Sequence, residues 1–250
     1  LLDELKEHVV RKIGAIARPK TIMFTPELPK TSFAVIGAES AVFEQALGLV
    51  VEPVRVLGQL GLFPVLAVNL LDHSDQPAAS QLLTGLHQAG VSADLFASNL
   101  STLCEQVSRC LQSETVPVVD FAGEEQPVAA LEKLTLALRS RKLLLLRSAG
   151  GLGPKEQGLL RLTSSHQLLL GERGISVVNL RTDYAPLQAG GALTPDEQAV
   201  LRRVKELHEH YPALQTSITS PLHVLGELFT VRGAGTLIKT GSNIRRCADF

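Results

Sequence analysis

Glu227 stands on the run LHVLGELFT, six residues ahead of Gly233 and eight ahead of Gly235. A carboxylate beside a Gly-Ala-Gly break can form a ligand loop, because glycine lets a backbone approach a bound group closely. The same residues also read as a helix end running into a core strand, and the pattern leaves both readings open. Elsewhere the chemistry-bearing residues are sparse. Cys104, Cys110 and Cys247 are odd in number and lack metal-ligand spacing, so they suit a reducing compartment and no disulfide framework. Cys104 and Cys110 read as small buried hydrophobes. His208 and His210 lie two apart and cannot share a helix face as metal ligands at i, i+4 do; they read as surface residues. No Ser-His-Asp or paired-carboxylate arrangement is visible, and no catalytic residue or metal site is assigned.

The element carrying Glu227 opens with a β-favouring run at Ser217–Thr219. Pro221 fits the first helical position after Ser220, where its missing N–H costs nothing. Leu222, Leu225, Leu228 and Phe229 would form an apolar helical face, and Thr236–Ile238 restart an extended run. Upstream, short apolar strands at 32–37, 63–69, 116–122 and 142–147 and a weaker one at 91–97 alternate with helical patterns at 40–61, 77–89, 100–112 and 127–140. Pro53 should break the first of these helices near Val51. On the helix at 100–112, Leu103, Val107, Cys110 and Leu111 share one side. Continuous apolar strands between amphipathic helices predict a parallel sheet covered on both faces. A hairpin is expected where QLLL and ISVVNL flank Gly171–Gly174. Thr194-Pro195-Asp196-Glu197 is a capping-box helix start for a helix reaching His210.

The chain has 250 residues, 45% hydrophobic, with a formal net charge of −1 and a mean hydropathy of +0.17. That suffices for one α/β-sized core. Balanced charge excludes a nucleic-acid stripe and a disordered acidic tail. No apolar run approaches the roughly 20 residues of a membrane span. The N-terminal LLDELKEHVV is neither a signal nor a transit peptide. It places Leu2, Leu5, Val9 and Ile13 at helical spacing up to Gly14. Opening in mid-helix without Met, the chain reads as a fragment or a processed form. Residues 1–31 are expected to be a helical arm and residues 32–250 the main domain.

Residues 32–246 resemble the amino-acid-kinase-fold domain of N-acetylglutamate synthases and their kinase relatives. The quoted motifs are ITSPLHVLGELFTVRGAGTLIK (218–239), LRSRKLLLLRSAGGL (138–152) and VVNLRTDY (177–184), with SFAVIG (32–37) and LGLFPVLAV (60–68) fitting the first strands. The resemblance implies a three-layer αβα sandwich with a mostly parallel sheet. It also implies L-arginine as effector, a homo-oligomer, and an acetyltransferase domain or separate subunit as partner. The effector contacts it implies are Glu227, Gly233 and Gly235, with His223 standing four residues before Glu227 where the family often has a His at five. A carboxylate and exposed carbonyls suit a guanidinium or α-amino group, both of which are donors only. Residues 1–31 resemble the C-terminal tail of acetyl-CoA synthetases, without the lysine that contacts the adenylate there.

The departures concern phosphoryl transfer, which depends on positioning and charge neutralisation. The family's kinases place a Lys and paired glycines after the first strand; here the run is Gly37-Ala38-Glu39-Ser40. Their second strand leads to a Gly-rich turn; here it leads to Asn69-Leu70-Leu71-Asp72-His73. Ser148, preceded by Arg147, replaces an Asp near the nucleotide. Ser148, Gly150 and Gly151 would be a vestigial nucleotide-facing turn or a plain strand-to-hairpin connection. The resulting expectation is a catalytically silent, arginine-sensing and oligomerising domain of an N-acetylglutamate synthase with no cofactor of its own. The alternatives are a divergent N-acetylglutamate kinase using ATP and magnesium, and a structural subunit for an acetyltransferase. Neither nucleic acid nor membrane is expected as a partner; the compartment would be cytoplasmic, or the mitochondrial matrix in a eukaryote.

Overall fold

The computed structural model describes residues 34–70, 78–98, 101–153, 170–171, 174–189, 191–229 and 234–241. The expected arm at 1–31 lies outside these residues, as do Gly233, Cys247 and the first three residues of QLLL. The strands are β1 (Val35–Ala38), β2 (Val65–Val68), β3 (Ala93–Ala97), β4 (Val116–Asp120), β5 (Lys142–Leu146), β6 (Leu170–Gly171), β7 (Gly174–Ile175), β8 (Val177–Asn179), β9 (Gln215–Thr219) and β10 (Thr236–Lys239). The helices are α1 (Ser40–Gln59), α2 (Ala78–Gln88), α3 (Leu103–Gln112), α4 (Pro127–Ala137), α5 (Tyr184–Ala189), α6 (Pro195–His210) and α7 (Val224–Phe229), the last preceded by a 3-10 turn at Pro221–His223.

Eight strands form one sheet in the order β3-β4-β2-β1-β5-β9-β10-β8. β1 to β5 and β9 pair in parallel, β9 and β10 are antiparallel, and β8 is parallel to β10. Of the expected hairpin, only the short pair β6–β7 is antiparallel, with Leu170 opposite Ile175, whereas Val177–Asn179 of the second run leaves it as β8 and pairs in parallel with β10 in the large sheet.

Alternation along the strands divides the core into two layers, because successive side chains point to opposite faces. Val35, Val65, Ala67, Leu143 and Leu145 join the side chains of α3, α4, α5 and α6. Ile36, Leu66, Val68, Leu144 and Leu146 join those of α1, α2 and α7. This is the expected three-layer sandwich. Leu103, Val107, Cys110 and Leu111 are all buried, as their spacing predicts.

Three expectations are corrected. α1 runs through Pro53, and its non-helical residue is Ala46 (φ −141°, ψ 29°), five residues before the expected break. Leu222 is 70% exposed and lies outside the buried face. The 3-10 turn advances three residues per turn instead of 3.6, so Val224 takes the place of Leu222 on a face where Leu228 is buried and Leu225 and Phe229 pack as expected. His208 is buried rather than superficial, while His210 is exposed and meets Glu132 at 2.8 Å. Burial alone pushes the His208 imidazole down to about 4, because charging it would leave a cation out of water.

Candidate functional site

The chain leaves β1 toward β2 on one side and returns to β5 on the other. In open α/β sheets such a reversal opens a crevice at the carboxyl ends of the strands, where ligands bind. Register aligns Ala38 with Leu146, and Leu146 with Thr219. The first residues beyond the strands, Glu39, Asn69 and Arg147, therefore meet at one edge.

This edge is polar. Arg147 Nε donates to Glu39 Oε1 at 2.6 Å, and Arg147 Nη1 lies 3.8 Å from Glu197 Oε1. Both Arg147 and Glu197 are buried. Two carboxylates around one guanidinium leave the cluster one negative charge in excess. Asn69 Nδ2 donates to Asp120 Oδ1 at 2.8 Å. Among the described residues, the buried side-chain polar atoms without a hydrogen-bond partner are Asn69 Oδ1, Arg147 Nη1 and Thr219 Oγ1. They sit at the carboxyl ends of β2, β5 and β9.

In the Gly-containing turn after β5, four backbone amides donate to protein groups. Ser148 N donates to Glu39 Oε2 (3.3 Å), Gly150 N to the Arg147 carbonyl (3.0 Å), Leu152 N to Thr236 Oγ1 (2.8 Å) and Gly153 N to Glu197 Oε1 (3.0 Å). Glu197 also completes the predicted capping box, accepting from Thr194 N at 2.7 Å. One carboxylate thus starts α6 and pins the turn.

The second region is the corner between α7 and β10. Glu227, 7% exposed, accepts from Gly235 N at 2.6 Å. Lys142 Nζ donates to the Leu228 carbonyl at 2.6 Å. Burial lowers the Lys142 pKa, and the Glu227 carboxylate opposes that shift. A Cβ on Gly235 would lie 2.2 Å from the Ile218 carbonyl oxygen, so only glycine fits there. The two regions touch: Gly151 packs under Thr236, and Gly150 faces Ser220.

Solved structures with this arrangement include Giardia carbamate kinase, which aligns over 86% of this chain and 100% of its own with a TM-score of 0.57 at 10% identity. UMP kinase from Bacillus anthracis aligns over 84% and 97%, with a TM-score of 0.54 at 12% identity. The fold is that of the amino-acid kinases. In sequence, the chain is 25% identical over 170 residues to an acetylglutamate kinase of Xanthomonas campestris, covering 64% of this chain and 35% of that protein. An acetylglutamate kinase of Xylella fastidiosa is 26% identical over 171 residues, covering 64% and 36%. The chain spans about a third of the length of these relatives. Residues 1–34 match the AMP-binding enzyme C-terminal domain. Over 31 residues the chain is 61% identical to an acetyl-coenzyme A synthetase of Gemmatimonas aurantiaca, covering 12% of this chain and 5% of that protein.

Within this amino-acid-kinase fold, three of the sequence-predicted residues fall into one neighbourhood. Gly150, Gly151 and Gly235 converge on Thr236 and Ser220, although more than 80 positions separate them in the chain. His223 is half-buried in the 3-10 turn, where its amide donates to Ser220. Ser148 is exposed beside Arg147. Gly233 lies outside the described residues. Sequence reasoning gave no role to Glu39 and treated Glu197 only as a helix cap. Nothing local signals their reach, because their partners at the turn lie 109 and 44 residues away. Among the described residues, no group of three or more His, Cys, Asp or Glu is placed to hold a metal ion, and no helix is long and apolar enough to cross a membrane.

Proposed function

We propose that this chain is the amino-acid-kinase-like domain of an N-acetylglutamate synthase, that it transfers no phosphate, and that it senses arginine and oligomerises. The observation that carries the reading is the turn after β5, whose Ser148 and Gly153 amides are taken by the carboxylates of Glu39 and Glu197 around Arg147. A nucleotide phosphate entering here would meet two carboxylates and one guanidinium already engaged. Catalysis of phosphoryl transfer needs the opposite balance, since donors and cations stabilise the developing charge.

The effector contacts are Glu227, the backbone around Gly233 and Gly235, and His223. Glu227 is buried against Gly235, with Lys142 close by. An arginine guanidinium would engage this carboxylate and neighbouring carbonyls through its donors. Isothermal titration of the purified oligomer with L-arginine tests the proposal; no heat of binding at millimolar arginine would remove the sensing claim.

A second reading is a divergent N-acetylglutamate kinase that uses ATP and magnesium. It is favoured by the name of the two relatives at about a quarter identity. ATP turnover in the presence of N-acetylglutamate would establish it. A third reading, a structural subunit for a separate acetyltransferase, is tested by whether an acetyl-CoA-binding region follows Phe250 in the parent gene.

A further inference from the structure

We infer that Glu39 is a tethered occupant of an oxyanion site built from Arg147 and the Ser148 amide. Arg147 is 6% exposed, and a buried guanidinium needs acceptors for its donors. Its Nε is satisfied by Glu39 at 2.6 Å, but its Nη1 is buried without a hydrogen bond and lies 3.8 Å from Glu197. The neighbouring Ser148 N–H also points to Glu39, at 3.3 Å. Glu39 therefore uses the two donors at this crevice that an external oxyanion would use.

Its position suits a removable occupant. Glu39 is the N-cap of α1, yet its side chain makes no capping bond to that helix. The carboxylate is partly exposed, and Ser148 and Ala149 beside it face solvent. Turning the side chain outward frees Arg147 Nε and the Ser148 amide. A charged N–H donor beside a backbone amide suits an oxyanion such as inorganic phosphate. Glu197 stays behind, holding Gly153 and its own cap, and limits the affinity. This inference rests on the reading of the turn as closed to phosphate and is independent of arginine sensing.

The test uses the 250-residue chain as wild type, Glu39→Ala, Glu39→Gln and Glu39→Ala/Arg147→Met. Inorganic phosphate is titrated at constant ionic strength and followed by calorimetry and thermal unfolding. Glu39→Ala should bind phosphate at least about tenfold tighter than wild type, in line with a freed charge-assisted bond. Glu39→Gln, which keeps the side-chain shape, should gain less, and the double variant should lose the gain. If Glu39→Ala does not fold, Glu39→Gln decides. No gain in either single variant overturns the inference. A gain that survives loss of Arg147 does so too, because it marks an adventitious ion only. Arginine titration of the wild type is judged separately, so failure of sensing and failure of this inference are distinguishable.

Discussion

The turn after β5 and the corner between α7 and β10 are built alike. In each, glutamate carboxylates accept backbone N–H groups of a glycine-containing segment, and a basic side chain stands nearby. They differ in where the carboxylate comes from. At the corner, Glu227 reaches Gly235 across eight residues. At the turn, Glu39 and Glu197 reach across 109 and 44. The corner is a local device whose glycine is required by a backbone contact. The turn is a tertiary device in which charge decides what can enter, with Gly151 also held close: an added Cβ would lie 2.9 Å from Thr236 Oγ1. Replacing charges should therefore disturb the turn most, and adding atoms should disturb the corner most.

The largest expected effect comes from Arg147→Met. It leaves Glu39 and Glu197 close together with no cation between them, and should cost about 3–5 kcal/mol in urea unfolding. Glu39→Gln/Arg147→Met should recover part of that loss. A cost below about 1 kcal/mol for the single variant would mean that the amides alone hold the carboxylates, and the contrast with the corner would fail. Next comes Gly235→Ala, whose Cβ would lie 2.2 Å from Ile218 O and 2.7 Å from Thr219 Cβ. Both neighbours are on a buried strand, so the expected loss is about 3 kcal/mol. Gly150→Ala is the control. Its φ of +82° strains alanine, but the nearest atom is Ser220 Cβ at 3.9 Å, so the loss should be about 1 kcal/mol.

The same contrast explains what could be read from the sequence. The sandwich was legible because strands such as KLLLLR carry their two-sided burial in their own composition. Thr194-Pro195-Asp196-Glu197 was legible as a capping box because its bonds span three residues. ELFTVRGAG stood out because Glu227 and Gly235 are neighbours in the chain. Glu39 and Arg147 could not be paired in advance, since their meeting depends on β5 returning beside β1. His208 was misread because an imidazole in a helical run carries no sign that Thr216 will lie beneath it. Leu222 was misplaced because a 3-10 turn changes the phase of an apolar face without changing its residues.

His208 tests the corner from the other side of the sheet. Its Nε2 meets Thr216 Oγ1 at 2.9 Å on β9, and its Nδ1 meets Thr240 Oγ1 at 3.2 Å just beyond β10. Its pKa falls from 6.5 to about 4 on burial. Between these values the unfolded chain binds the proton and the folded chain does not, so stability rises with pH across the window. Acidification from pH 6.5 toward 4 should remove up to about 3 kcal/mol through this residue. Urea unfolding of wild type and His208→Gln at several pH values isolates the effect, and His208→Gln should be the flatter of the two. Equal slopes would mean that His208 titrates alike in both states and does not tie β9 to the end of β10.

The smallest effect, and the one that bears most directly on function, is expected for Glu227→Gln. The amide oxygen can still accept from Gly235 N, so the corner keeps its geometry and loses only the charge-assisted part of the bond, about 1 kcal/mol. Lys142 then loses the carboxylate that opposes its burial, and its pKa should fall further. Stability and arginine affinity can be read on the same sample. If the corner is the effector site, the guanidinium loses its anionic acceptor and binding should weaken by about tenfold or more. If stability drops while arginine binds as before, Glu227 serves only to fasten β10, and the corner and the turn become the same kind of structural lock. A loss of arginine binding with little loss of stability would separate them, giving the corner a ligand and leaving the turn closed by its own glutamates.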